Sequence, residues 1–135
     1  MKRALFILLG LGFCLMVILL SCSVDDDLSQ EEYCENQLAY LSELKTQIED
    51  YAATSVCSGT ESCRYVAFGS KPCGGPWSFL VYSTSIDTLE LLDMVDAYNT
   101  LEAQINSDCG FASDCSVPLP PTGFDCIDNV CVPIY

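Results

Sequence analysis

Cys34, Cys57, Cys63, Cys73, Cys109, Cys115, Cys126 and Cys131 run from the first long helical pattern of the chain to its last few residues. An even set this dense in a small chain reads as a disulfide framework, which places the protein in an oxidising compartment. Zinc is the rival use of cysteine. It is disfavoured because the chain has no histidine and no Cys-x-x-Cys pair, and because thiolates do not persist where disulfides form. The expectation is therefore up to four bridges and no metal or other cofactor. Spacing leaves their connectivity open.

Two further cysteines, Cys14 and Cys22, belong to a different kind of segment. Lys2 and Arg3 precede Ala4 to Leu20, 17 residues without charge or proline. A basic start followed by an apolar run is what the secretion machinery reads, whereas a spanning helix needs about 20 apolar residues. The run ends in Leu19-Leu20-Ser21-Cys22, which resembles the lipobox of bacterial lipoproteins. That resemblance implies a signal peptide over 1–21, cleavage after Ser21 and acylation of Cys22, with more than one acyl chain giving a stable membrane anchor. Ser23-Val24-Asp25-Asp26-Asp27 resembles the lipoprotein export tag of Bacteroidota. The tag implies an outer-membrane protein facing the cell exterior, and an acidic run also serves as an extended tether over 22–28.

Removing 1–21 takes Lys2 and Arg3 away, so the five basic residues become three against nineteen acids, a side-chain net of −16. Such a chain does not track nucleic-acid phosphates or adhere electrostatically to anionic lipid. Its charged partners are cations, basic proteins or basic peptides.

The folded part, expected over 29–135, opens with a helix signature. Ser29 caps, Glu32 completes a capping box, and Leu28 with Tyr33 forms a hydrophobic staple. Cys34, Leu38, Leu41, Ile48 and Ala52 then recur at helical steps, predicting a helix from Glu31 to Ala53. A second start lies at Asp87, with Glu90 as box partner and Ile86 and Leu91 as the staple. Leu91, Val95, Tyr98, Leu101 and Ile105 line its apolar face, and Gly110 ends it. Packed antiparallel, the two helices bring Cys34 near Cys109, the expected inter-helix bridge, with Cys57 the alternative if the register differs.

Between the helices, Arg64–Phe68 and Ser78–Ser83 are β-branched and aromatic-rich and read as strands. The loop joining them, 69–77, is too long for a tight hairpin, and Cys73 is expected to tie it to Cys63 or Cys57. After the second helix, Pro118-Leu119-Pro120-Pro121 favours an extended path. Cys126 to Val132 reads as a hairpin turning at Asp128-Asn129, pinned by Cys115 to Cys126 or Cys131. The expected class is α+β: two long helices packed on a small antiparallel sheet, rich in disulfides.

No catalytic constellation emerges. Without histidine there is no triad or His–Cys pair, and oxidised cysteines are not nucleophiles. The acids fall on helix faces and caps. Neither Asp25–Asp27 nor Asp114, Asp125 and Asp128 fits an EF-hand loop, so tether and turn roles explain them better. The most distinctive stretch is Lys71-Pro72-Cys73-Gly74-Gly75-Pro76-Trp77, which holds the only tryptophan. Lys71, Pro72, Gly74, Gly75, Pro76 and Trp77 form a candidate recognition loop, since rigid loops bearing an aromatic often recognise ligands. The competing role is a structural corner with Trp77 packed on the sheet. This loop and the cysteine-bounded tail, Cys57 to Cys131, resemble small cysteine-rich lipoproteins of Bacteroidota, a resemblance that carries no activity. Asp87-Thr88-Leu89 resembles an O-glycosylation acceptor of the same group. The function expected is non-enzymatic: a lipid-anchored, surface-displayed module binding a protein or glycan. The alternative is an inhibitor of a secreted protease, through Arg64, or of a basic cell-wall hydrolase.

Overall fold

Helix α1 (Gln30–Ala53) begins where Ser29 Oγ accepts a hydrogen bond from the Glu32 amide at 3.2 Å. Helix α2 (Thr88–Cys109) begins where one Asp87 carboxylate oxygen accepts from the amides of Leu89 and Glu90. Each cap satisfies amides that a helix's first turn cannot pair internally. Gly110 closes α2 in the left-handed conformation, φ 63°, and Phe111 N–H returns to the Asn106 carbonyl, the usual glycine stop. The computed structural model describes residues 29–59 and 61–135. The expected signal peptide, lipobox, acidic tether and Leu28 staple residue lie outside these residues. Among the described residues no helix is long and apolar enough to cross a membrane.

The helices lie antiparallel. Cys34 near the start of α1 is bridged to Cys109 at the end of α2, and Gln30 Nε2 donates to the Asp108 carbonyl beside it. At the opposite end Tyr51 Oη donates to Glu90 at 2.9 Å. Leu41, Ile48 and Ala52 from α1 meet Leu91, Val95, Tyr98 and Ile105 from α2 in the core. Leu91 has no exposed surface at all.

Strands β1 (Cys63–Phe68) and β2 (Ser78–Ser83) pair antiparallel, with Cys63 opposite Ser83 and Phe68 opposite Ser78. Alternation sends Phe68 and Tyr82 into the core, with Val66 and Leu80 packed against it. The other face carries Tyr65 and Phe79, edge to face at 5.3 Å. Phe124 lies 6.1 Å from Tyr65 and belongs to a second hairpin, β3 (Gly123–Ile127) and β4 (Val130–Ile134). That hairpin turns at Asp128 and Asn129, both at positive φ, as the sequence suggests.

The fold is thus α+β with two small antiparallel sheets rather than the single sheet expected. The β1–β2 ribbon has the helices on one face and aromatic contact with the tail hairpin on the other. The two sheets share no ladder. Cys63–Cys131 joins them, while Cys57–Cys126 and the Cys57 amide donating to the Asn129 carbonyl tie the segment before β1 to the tail hairpin.

Two expected bridges are corrected. Cys73 pairs with Cys115, not with Cys63 or Cys57. Cys115 accordingly does not pair with Cys126 or Cys131. The chain leaving α2 runs back along the 69–77 loop, where Lys71 Nζ holds Asp114 and the Ser116 carbonyl, and this delivers Cys115 to Cys73. Cys126 and Cys131 stand directly opposite each other in the β3–β4 register, so both side chains leave one face of the hairpin. That face meets the segment carrying Cys57 and Cys63.

Peptide mapping under non-reducing conditions is expected to recover these four pairs. Because Cys34–Cys109 spans 75 residues, replacing both by alanine is expected to lower the unfolding free energy by about 4 kcal/mol in urea titrations. An unchanged midpoint would mean that helix packing alone sets the ends.

Candidate functional site

The 69–77 loop is a built structure. Lys71 N–H donates to the Gly75 carbonyl at 2.9 Å and Gly74 N–H to the Lys71 carbonyl at 2.8 Å, closing a turn that needs positive φ at Gly74 and Gly75. Gly69 also has positive φ, 83°, and space is a second constraint there: a Cβ would lie 2.6 Å from Cδ1 of Trp77. The loop is then held from below by three side chains of α2. Asn99 accepts from the Gly69 amide and donates to the Ala67 carbonyl, Glu102 accepts from the Ser70 amide, and Asn106 donates to the Ser70 carbonyl. Residues 99, 102 and 106 are spaced three and four apart and so share one helix face. Sequence reading missed this polar stripe because each residue looks like an ordinary solvated position.

Lys71 does not face solvent. The residue is only 7% exposed, with Nζ 2.7 Å from both Asp114 Oδ1 and the Ser116 carbonyl, and 4.9 Å from the centre of the Trp77 ring. Its hydrogen bond, then that of Ser116, holds the Asp114 carboxyl below its ordinary value of 3.8. Pro72 and Pro76 are half-buried, and Gly74 and Gly75 are exposed. Trp77 is 45% exposed and lines an open cleft of about 240 Å³ with Lys45, Phe68, Gly69, Tyr98 and Glu102.

Glu102 is the unusual group here. Burial raises its carboxyl above 4.5, opposed by hydrogen bonds from the Ser70 amide, the Trp77 indole and Tyr98 and by the nearby charge of Lys45. Tyr98 Oη stands 3.5 Å from Glu102, and burial followed by the Glu102 charge pushes its pKa up to about 12. Among the described residues no basic group lies within ion-pair distance of Glu102: Lys45 pairs with Glu49 and Lys71 with Asp114.

Tyr98 also lines a second opening of about 270 Å³ between the helices, walled by Tyr40, Leu44, Met94, Ala97 and Leu101. A third and larger space, about 450 Å³, lies between the loop and the end of α2, lined by Pro72, Gly74, Asn106 and Phe111.

Other sequence candidates fall away from these openings. All eight cysteines between 34 and 131 are in disulfides. The sulfurs of Cys57, Cys63 and Cys131 come within 4.8 Å of one another because two bridges lie side by side, and oxidised sulfur offers a metal no thiolate. Asp114, Asp125 and Asp128 are not gathered into a cluster among the described residues. Arg64 lies within β1, opposite Tyr82, and Thr88 is half-buried at the start of α2. No family model, curated protein or solved structure matches the chain.

Two outcomes test this electrostatic account. Lys71→Met removes the ammonium that reaches Asp114 and the Ser116 carbonyl, and is expected to cost about 1–3 kcal/mol in chemical denaturation. Since the Asp114 carboxyl is lowered in the fold, its contribution is present above pH 3.8 and lost as pH falls through the folded value, so the deficit should shrink in acid. Glu102 has the opposite sign. Its raised carboxyl favours the fold below pH 4.5, and that benefit is lost as pH rises through the folded value. Glu102→Gln is therefore expected to match or exceed the wild-type Tm at pH 7 and to converge with it in acid. A clear drop at pH 7 would show that the charge itself stabilises the loop.

Proposed function

We propose that this protein is a lipid-anchored, surface-displayed binding module without catalytic activity, and that its ligand, a protein or a glycan, is engaged at the Trp77 cleft. One observation carries the binding reading: a half-exposed tryptophan, on a loop clamped by a disulfide and by three α2 side chains, stands beside a half-buried carboxylate in an open cleft. Aromatic side chains on rigid supports are the usual anchors of recognition, and their fixed geometry limits the entropy lost on binding. A carboxylate that is costly to bury also fits a functional role better than a purely structural one.

The anchor and its location rest on the leader. Lys2-Arg3, the apolar run and Leu19-Leu20-Ser21-Cys22 support cleavage and acylation at Cys22. Asp25–Asp27 supports passage to the outer face. Four disulfides agree with a compartment outside the cytoplasm. The absence of histidine and the pairing of the folded region's cysteines support a non-catalytic role.

The test uses the full chain in cells. Intact mass of the membrane-extracted protein is expected to show residues 1–21 removed and lipid on Cys22. With Lys71 buried, Lys45 is the exposed lysine of the folded domain, its side chain 48% accessible. A membrane-impermeant amine reagent on intact cells should label Lys45 while sparing a periplasmic control. Protection of Lys45 would refute surface display, and a retained leader would refute the lipid anchor.

A further inference from the structure

The Trp77 cleft and the opening between the helices meet at Tyr98, which lines both. They are also adjacent in sequence, Leu44 next to Lys45 on α1 and Leu101 next to Glu102 on α2. Their chemistries differ. The first is aromatic with a half-buried acid, and the second is walled by Tyr40, Leu44, Met94, Ala97 and Leu101. Tyr40 is 50% exposed there, an aromatic held at the surface on a rigid helix.

Acidic residues lie one helical turn from the groove wall on both helices. Glu43 lies one turn before Gln47, which lines the groove and hydrogen-bonds to it. Glu90 and Asp93 lie one turn before Met94 and Ala97. Lys45 lines the Trp77 cleft, and Glu49 pairs with it at 2.7 Å. The indole already accepts a cation, since Lys71 Nζ sits 4.9 Å from its centroid.

We infer that the cleft and groove form one continuous docking channel for a basic, amphipathic peptide segment of a partner protein. A lysine or arginine side chain enters beside Trp77, Tyr98 and Glu102, and neighbouring apolar side chains lie between α1 and α2. This deepens the binding reading above and rests on it. Charge complementarity selects the occupant. Glu102 makes no ion pair among the described residues, its neighbour Lys45 being held by Glu49, and a chain of net −14 draws basic segments and repels acidic ones. A second copy of this chain brings the same negative field. Its own Asp25–Asp27 stretch would set like charge against Glu102. A glycan supplies neither the cation nor the apolar side chains that the groove accommodates.

Trp77 is the only tryptophan, so its fluorescence reports the site directly. The experiment titrates the full lipid-anchored protein in detergent with a synthetic peptide of Leu, Lys and Arg in helical alternation. Parallel titrations use the same peptide with Glu replacing Lys and Arg, and a neutral oligosaccharide. The basic peptide is expected to produce a saturable change that weakens with salt, and the acidic peptide none. Glu102→Gln, which keeps an acceptor for the Ser70 amide, should weaken binding about tenfold. Lys45→Gln should tighten it by about threefold. Ala97→Arg, on an exposed position of the groove wall, should abolish it. Lack of saturation by the basic peptide, an equal response to the acidic one, or an unchanged affinity in Glu102→Gln would overturn the inference. A Trp77 response to the oligosaccharide alone would overturn it too, while leaving the cleft as the binding site of the broader reading.

Discussion

Four covalent cross-links hold a domain whose apolar core is thin. Nine side chains form the buried cluster, and all of them come from the two helices and the β1–β2 ribbon. Beyond Gly110 the chain buries little. Val117, Leu119, Ile127, Val130, Ile134 and Tyr135 remain exposed, and a two-stranded hairpin is marginal in water without further support. What attaches the tail is Cys115 to Cys73, Cys126 to Cys57 and Cys131 to Cys63, closing loops of 42, 69 and 68 residues. Cross-links of that span act mainly by restricting the unfolded chain, so they stabilise a region where burial cannot.

With the tail secured, α2 organises the rest. One face sends Leu91, Val95, Tyr98 and Ile105 into the core. A neighbouring stripe of Asn99, Glu102 and Asn106 takes up the backbone groups of residues 67–70. The loop needs those partners because buried amides and carbonyls left unpaired are costly. Lys71 completes the arrangement by reaching into the chain that follows α2. The loop is therefore fixed at both ends, and Trp77 is held at the surface.

The same arrangement explains the Glu102 environment. Its carboxylate is recruited to bind the Ser70 amide and is desolvated in the process, with Lys45 near enough to act on it but ion-paired to Glu49. A glutamine would supply the same acceptor without the burial of a charge. That a carboxylate stands there, beside an exposed tryptophan and an apolar groove, is what directs attention to a cationic ligand.

Much of the architecture is legible in the residues. Ser29 and Asp87 cap as their side chains dictate, Gly110 ends its helix, and Asp128-Asn129 turn a hairpin, because each depends on interactions within a few residues. Cys34–Cys109 is also readable, since two amphipathic helices joined by a long segment pack antiparallel and bring those ends together. The tertiary structure alone decides the other three bridges, which depend on the path of the chain after α2 and on which face of the tail hairpin carries Cys126 and Cys131. It alone turns Lys71 inward to Asp114 and brings Glu102 to Trp77. Cap and turn chemistry acts over a few residues, whereas these contacts join groups 25 to 69 positions apart, and only packing, which no local pattern encodes, chooses among the distant partners each group has.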